Sequence, residues 1–141
     1  MKSVCVLLGL ALACTPLLGC GGVDVQREGE EPLKLLSLTP HLGETDVALD
    51  TEVVAVFSSK VVIGEEETQL NDNTFCLIDR GGNPVHGQVG FSELNQERTV
   101  VLSGLSLDPS ASYEISIKGT IEGESTAAIG VEIRSSFTTG Q

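Results

Sequence analysis

Short apolar segments separated by turn-forming residues run through the chain from Leu33 onward. In Tyr113–Lys118 apolar and polar residues alternate strictly, and in Val131–Thr139 the large apolar residues share one phase. A two-residue period is typical of β-strands that bury one face. Because no stretch shows the 3.6-residue apolar period of an amphipathic helix, the pattern predicts an all-β domain.

The predicted strands are short and lie at the spacing of a two-sheet fold. Val53–Phe57 is apolar at every position, which predicts a central strand covered on both faces, or covered on one side by a partner. About seven strands in about 105 residues is the size of an immunoglobulin-like β-sandwich. The predicted strands are Leu33–Leu38, Glu52–Ser58, a short Lys60–Ile63, Thr74–Asp79, Pro84–Phe91, Arg98–Leu102, Tyr113–Lys118 and Val131–Thr139.

Two segments of this pattern suit contact with a partner. Arg80–Asn83 predicts the turn of a β-hairpin that joins Thr74–Asp79 to Pro84–Phe91, because glycine adopts the left-handed backbone angles of such turns. Lys60–Ile63 predicts an edge strand whose backbone groups are free to accept a partner strand. The residues expected at these contacts are Val61 and Val62 on the edge, and Gly81, Gly82 and Asn83 at the hairpin tip.

Four residues on inward phases are predicted to form the centre of the core, namely Phe57, Tyr113, Ile115 and Phe137. Tyr113 opens a strand just after the turn Asp108–Ser110, where immunoglobulin-like sandwiches place a tyrosine corner. In such a corner the tyrosine hydroxyl bonds to backbone a few residues upstream. The alternative is a tyrosine that is simply half-buried at the start of a strand.

The first 19 residues have the layout of a secretory signal peptide, with Lys2 followed by the apolar run Val4–Ala13. A run of about ten apolar residues is too short for a transmembrane helix, which needs about 20. The following Leu17-Leu18-Gly19-Cys20 resembles the lipobox of bacterial lipoproteins. The resemblance implies cleavage between Gly19 and Cys20 and a diacylglycerol, carrying fatty acids such as palmitate, on the Cys20 thiol.

Ordinary secretion is the alternative to lipidation. Ala11-Leu12-Ala13 also fits a conventional signal-peptidase site, and cleavage there leaves Cys14 and Cys20 in the mature chain as thiols. If the chain is a lipoprotein, Gly21 rather than aspartate stands at the second mature position. The lipoprotein resemblance then implies the outer membrane, if the cell has one.

Residues 20–32 are predicted to form a lipidated cysteine and a flexible tether, and residues 33–141 to form one domain. Glycine, acidic residues and proline leave the tether with too little apolar surface to fold. All 20 acidic residues follow Cys20, as do seven of the eight basic ones. This excess of negative charge argues against charge-driven binding to nucleic acid or anionic lipid.

Six segments of the predicted domain carry a further resemblance, and they occur in the order Leu38–Pro40, Asp46–Thr51, Val53–Ser58, Asp79–Val85, Leu107–Ile117 and Phe137–Thr139. Together they resemble the bacterial Ig-like domain typified by S-layer proteins. The resemblance spans nearly all of the predicted domain. It implies a sandwich without a catalytic site, of the kind that serves as a spacer or adhesion module in exported proteins.

Residues that could carry chemistry are few. His41 and His86 are the only histidines and lack partners at zinc-ligand spacing, and Glu65–Glu67 with Asn71–Asn73 lacks the spacing of a calcium loop. No hydrolase elbow, phosphate loop or activated cysteine motif is present. We therefore expect no metal, no cofactor and no catalytic residue. Cys76 predicts a buried thiol or, if it is exposed, a cross-link between two copies.

These features predict a lipid-anchored protein of the cell envelope whose non-catalytic module serves structural, adhesion or protein-contact roles. Its expected partners are the membrane, through the lipid anchor, and an envelope protein or polysaccharide. Nucleic acid is not expected as a partner. The alternative function is an accessory or assembly subunit of an envelope or secretion complex that binds by strand-edge pairing.

Lipidation gives the first testable prediction. Metabolic labelling with a fatty-acid analogue should mark the wild-type protein, whereas Cys20→Ser should remain unlabelled and uncleaved because it lacks the acceptor thiol. The matched control, Cys14→Ser, should be labelled like the wild type. A soluble, unlabelled product that begins at Cys14 would contradict the prediction.

Overall fold

The structure is a computed structural model that describes residues 30–94 and 97–141. The predicted signal peptide, the bond between Gly19 and Cys20, and residues 21–29 of the predicted tether lie outside the described residues. In the part of the chain that is described, no helix has the length and apolarity needed to cross a membrane.

Eight strands make up the fold, and the described residues contain no helix. They are β1 (Leu35–Thr39), β2 (Val53–Phe57), β3 (Phe75–Asp79), β4 (Pro84–Val85), β5 (Gln88–Phe91), β6 (Thr99–Ser103), β7 (Ser112–Ile117) and β8 (Ile133–Thr138). One antiparallel sheet has the order β1-β2-β6-β5, and the other has the order β4-β3-β7-β8. The predicted all-β sandwich is confirmed.

The continuously apolar segment forms β2, which lies between β1 and β6. Its first, third and fifth residues are buried between the sheets, and Val54 and Val56 are half-buried on the outer face. Val54 faces Val101 of β6 across the strands. The central position predicted for this strand is therefore correct, and its second face is covered only in part.

The core lies between the inner faces of the two sheets. All four residues predicted for its centre are buried in one apolar cluster, with Phe57 and Ile115 fully buried and Phe137 and Tyr113 at 2% and 4% exposure. The rings of Tyr113 and Phe137 lie 5.8 Å apart between centroids, within the range of favourable aromatic pairs. These side chains thus join β2 of one sheet to β7 and β8 of the other.

The tyrosine corner predicted from the sequence is present. The Tyr113 hydroxyl accepts a hydrogen bond from the backbone N–H of Asp108 at 2.8 Å. Next to it, the buried Thr139 hydroxyl donates to the Asp108 carbonyl at 2.6 Å and accepts from the Ala111 N–H at 2.8 Å. The corner therefore fixes the chain before β7 to the residue that follows β8.

One predicted strand, Pro84–Phe91, is wrong as a single element because it divides between the sheets. Its start, β4, pairs with β3 and completes the predicted hairpin, whereas β5 pairs with β6 in the opposite sheet. Gly87 permits the crossing, since a Cβ there would lie 2.7 Å from the Ser103 carbonyl oxygen. Phe91, at the end of β5, is 40% exposed.

The predicted edge strand Lys60–Ile63 is also wrong, because the segment forms only isolated bridges to Gly123 and Leu70. Val61 is 3% exposed, and its N–H donates to the Glu97 carbonyl at 2.7 Å. The Val62 carbonyl accepts from the Leu70 N–H at 2.9 Å. Neighbouring loops therefore occupy this backbone on both sides, and it is not a free edge.

The loops lie at two opposite ends of the sandwich. The N-terminal end comprises residues 30–34, 58–74, 92–94, 97–98 and 118–132, and the hairpin end comprises residues 40–52, 80–83, 104–111 and 139–141. Pro32, which the sequence analysis counts with the tether, forms a bridge with Ala127, and the Leu33 N–H donates to the Ala127 carbonyl at 2.9 Å. The chain thus joins the domain at the end opposite the hairpin tip.

Truncation in the core should unfold the protein at a lower denaturant concentration. We expect Phe57→Ala and Phe137→Ala each to lower the free energy of unfolding by about 3 to 5 kcal/mol, because both lose apolar burial and leave a cavity. Urea titrations followed by circular dichroism measure this. The control is Leu42→Ala, whose side chain is 75% exposed, and it should change stability by less than about 0.5 kcal/mol. Equal losses in core and control variants would show that these phenylalanines do not hold the sheets together.

Candidate functional site

The hairpin tip is held in one conformation by the side chain of Asp79. One carboxylate oxygen, Oδ1, accepts hydrogen bonds from the backbone N–H groups of Gly81 and Asn83, both at 2.8 Å. The Asn83 side-chain amide donates to both carboxylate oxygens at 3.2 and 3.1 Å. Gly82 has φ of +82°, which glycine adopts without strain. The sequence Asp-x-Gly-Gly-Asn therefore builds a fixed, exposed turn.

These hydrogen bonds also change the acidity of Asp79. Donation from the Asn83 backbone N–H, followed by donation from the Asn83 side chain, lowers the pKa of the Asp79 carboxyl below its ordinary value. The ionised form thus favours the folded turn. That contribution is present above the ordinary aspartate pKa and is lost as the pH falls through the lower folded pKa.

Two adjoining depressions flank this turn, and we call them together the hairpin-end surface. The larger has a volume of about 490 Å³ and the smaller about 320 Å³. Both are lined by Asp79, Arg80, Ser112 and Tyr113. The larger adds Gly82 of the turn and residues of the outer sheet face, namely Ile78, Glu114, Arg134 and Ser136. The smaller adds Gly81, Asp108, Ser110 and Ala111.

Arg80 is the residue of this surface that has most freedom to bind. It is exposed, and it is the one basic side chain among the described residues without an ion pair or hydrogen bond. The sequence pattern predicted contacts at its neighbours Gly81, Gly82 and Asn83 but not at Arg80 itself. Arg80 is the one cationic residue of the predicted turn, and this could have identified it as a contact residue.

The outer face of β7 and β8 carries a network of charges beside the larger depression. Arg134 lies 2.7 Å from Glu114 and 3.3 Å from Glu132, and the Glu132 carboxylate also accepts hydrogen bonds from Ser116 and Lys118. Donation from the Ser116 hydroxyl, and then from Lys118, lowers the pKa of Glu132. Because these groups satisfy one another, they are a less available contact surface than Arg80.

Loops of the hairpin end also store backbone strain. Asp46 and Ser110 are the non-glycine residues with positive φ in the described chain, at 58° and 52°. Non-glycine residues in this conformation cost about 1 to 3 kcal/mol and are enriched at functional sites. Ser110 lines the smaller depression, and the nearby loop exposes Leu42. Strain and an exposed apolar side chain thus occur at the same end as Arg80.

The other residues considered in the sequence do not join this site. His41 and His86 are exposed, in separate loops. Cys76 is a half-buried free thiol on β3, opposite Ser116, and burial raises its pKa. A raised pKa keeps the thiol protonated and less reactive.

The remaining polar candidates have structural roles. In the loop after residue 63, the Asn71 side chain donates to the carbonyls of Gly64 and Glu66 at 2.9 and 3.3 Å. Residues 30–94 and 97–141 contain no group of three or more side chains that could hold a metal ion. Ser116, although hydrogen-bonded to a carboxylate, is 1% exposed, so a substrate could not reach its hydroxyl.

Comparison with known families places the fold. A family model described as bacterial Ig-like domain matches residues 29–139. The matched range includes both sheets and the hairpin-end surface. A search of curated proteins found no match to the chain.

Several solved structures share the fold. CopC from Methylosinus trichosporium OB3b is 16% identical with a TM-score of 0.56, and the alignment covers 77% of this chain and 93% of CopC. Two structures of Escherichia coli α2-macroglobulin are also similar. The crystal structure spanning domains MG0-NIE-MG1 is 19% identical with a TM-score of 0.56, and the native cryo-EM structure is 17% identical with a TM-score of 0.55. Both alignments cover 78% of this chain. They cover 32% of the chain in the crystal structure and 6% of the chain in the cryo-EM structure. Likeness at this identity shows the fold alone.

The turn can be tested through the titration of Asp79. In Asn83→Ala the pKa of Asp79 should rise toward its ordinary value but stay below it, because the backbone N–H of residue 83, the larger cause, remains. Carboxyl-carbon NMR titrations of wild type and variant measure the difference. Asn73→Ala is the control and should leave the Asp79 pKa unchanged. An unaltered pKa in Asn83→Ala would mean that the side-chain amide does not hold the turn.

Proposed function

The chain belongs to the bacterial Ig-like domain family, and on that premise we propose that it is a lipid-anchored envelope protein that acts by contact and not by catalysis. Domains of this kind carry no catalytic site of their own. Consistent with this, the polar groups of the described residues are engaged with one another, as in the Glu132 network, or exposed without an activating neighbour, as in Arg80.

The proposed location at the membrane is based on the sequence that precedes the domain. Leu17-Leu18-Gly19-Cys20 follows an apolar run of signal-peptide length, which supports cleavage before Cys20 and lipidation of its thiol. An acidic chain, with 20 acidic and eight basic residues, is repelled by anionic headgroups. The lipid would therefore hold the protein at the membrane while charge keeps the domain off its surface.

The observation that carries the proposal is the position of the chain's entrance into the domain. Pro32 and Leu33 pair with Ala127 at the N-terminal end, so an anchor at Cys20 holds that end toward the membrane. If residues 21–32 form the flexible tether that the sequence predicts, it would span about 20 Å. The hairpin end, about one strand length or 20 Å further out, then faces away from the membrane. It presents Arg80 and both depressions to an envelope protein or polysaccharide.

A second candidate function is supported by a different observation. The sheet edge at β5 lacks the protection found at the other edges, which favours an accessory or assembly subunit that binds a partner by strand-edge pairing. This function uses the side of the sandwich, whereas the first uses its hairpin end. The two surfaces can therefore be tested separately.

A photo-cross-linking experiment tests the proposed function in cells. A photoreactive amino acid replaces Arg80 at the hairpin end or, as the matched control, Lys34 at the N-terminal end, since both are exposed basic residues. We expect a defined adduct with an envelope component from position 80 and none from position 34. The adduct should disappear in Cys20→Ser, which lacks the lipid anchor and keeps its signal segment, so it does not reach the position of the mature protein.

Adducts from position 34 alone would mean that the contact surface lies at the other end. Turnover of any substrate by the purified protein that is lost in His86→Ala or Ser58→Ala would overturn the non-catalytic assignment. Neither side chain belongs to the apolar core, but the Ser58 hydroxyl accepts a hydrogen bond from the Lys34 N–H at 3.0 Å. Circular dichroism of each variant therefore separates loss of activity from loss of fold.

A further inference from the structure

The two sheets expose four edge strands, and three of them are protected against pairing. Proteins protect edges by covering them, by proline, by short strands and by β-bulges. The edge of β8 is covered, since Gly43 N–H donates to the Ser136 carbonyl at 2.7 Å and Thr138 N–H to the Glu44 carbonyl at 2.8 Å. β4 has only two residues and begins with Pro84.

β1 is protected by an irregular register. Its pairing with β2 shifts between Leu35 and Ser37, as at a β-bulge, and Pro40 follows its last residue directly. A bulge twists the edge out of line, and proline offers no donor to a partner strand. A partner would therefore find few consecutive backbone groups to pair with on this edge.

β5 is short but has no cover from the described residues, no proline and no β-bulge. Its four residues, Gln-Val-Gly-Phe, include no charge and no proline, and they pair with β6 in an unbroken register. The Ser92 N–H donates to the Thr99 carbonyl, which fixes the even-numbered residues toward β6. The backbone N–H and C=O groups of Val89 and Phe91 therefore point away from the sheet. They make no hydrogen bond to another described residue.

Two depressions lie along this open edge, one beside Val89 and one beside Phe91, the two residues whose backbone N–H and C=O groups point away from the sheet. The first, about 290 Å³, is lined by Val89 and by the apolar side chains of Ile63 and Leu70. The second, about 350 Å³, lies beside Phe91. Residues two apart on an added strand project to the same face, so alternate side chains of a bound segment would enter successive depressions.

Both depressions have acidic rims. Glu65 and Asp72 line the first, and Glu93 and Glu97 line the second. Glu97 pairs with Lys60, whereas Glu65, Asp72 and Glu93 have no ion pair with another described residue. A side chain with an apolar stem and a cationic end, such as lysine or arginine, matches both the floor and the rim of these depressions.

We propose that the β5 edge binds an extended segment of a partner protein that carries two basic residues at alternate positions. This rests on the proposed contact function and adds the location of a second contact and the chemistry of its partner. A polysaccharide has no row of alternating N–H and C=O groups to pair with Val89 and Phe91. A second copy of this chain, paired β5 to β5, would bring like-charged rims together.

The test uses the full-length protein, labelled with ¹⁵N and purified in detergent. The probe is a short synthetic peptide of threonines with two lysines at alternate positions, and the control peptide has glutamates in place of both lysines. We expect the lysine peptide to shift the amide signals of Val89 and Phe91, with binding that weakens as salt increases. The glutamate peptide should cause no such shifts.

Two variants separate backbone pairing from charge. Val89→Pro removes an outward donor without touching the pairing with β6, and should weaken peptide binding about threefold to tenfold. The double variant Glu65→Lys with Glu93→Lys should weaken it by about tenfold or more and abolish its salt dependence. Glu52→Lys, an exposed residue of the hairpin end, is the matched charge control and should bind like wild type. Thermal melts followed by circular dichroism check that each variant is folded.

Several results would overturn the inference. With the wild-type protein, these results are that the lysine peptide does not bind, that both peptides bind equally well, or that the signals shift at β1 in place of β5. With the variants, the contradicting result is that folded Val89→Pro or the folded double variant binds the lysine peptide as well as wild type. If one of these occurs while position 80 still cross-links in cells, the β5 assignment fails and the proposed function stands. If the peptide binds as expected and no adduct forms from position 80, the β5 edge stands and the hairpin-end contact fails.

Discussion

Burial of apolar side chains between the two sheets holds this domain together. The described residues contain no disulfide, since Cys76 is a free thiol, so apolar packing has to hold β2 and β6 against β3, β7 and β8. Packing of this kind favours apolar side chains at inward positions, and Ser135 of β8 is a polar exception at such a position. It leaves the loops, edges and outer faces free to vary without loss of the fold.

This packing also explains where contact residues are found. Strands that bury one face position the loops at two ends, and the tyrosine corner ties the hairpin end together through Tyr113, Asp108 and Thr139. The turn held by Asp79 can therefore expose Arg80 without loosening the core. A sandwich also creates sheet edges, and here the edges of β1, β4 and β8 are protected while β5 remains open.

The sequence predicted what depends on local periodicity. Alternation located most of the strands, and the position of Tyr113 after a turn predicted its hydrogen bond to the backbone. Prediction from the sequence failed where contacts between segments far apart in the chain determine the local structure. The crossing at Gly87 depends on its approach to Ser103, and Val61 is buried because loops far along the chain bond to it. The availability of Arg80 could not be predicted either, because it depends on which carboxylate and carbonyl groups the other lysines and arginines bind.

An anchor at Cys20 should display the hairpin end away from the membrane. Fluorescence energy transfer in lipid vesicles tests it most directly, with a donor dye on Arg80→Cys or Lys34→Cys in a Cys76→Ser background and an acceptor on the lipid headgroups. We expect the dye at position 80 to lie further from the membrane than the dye at position 34, by about one strand length or 20 Å. Equal distances, or a shorter distance for position 80, would contradict it.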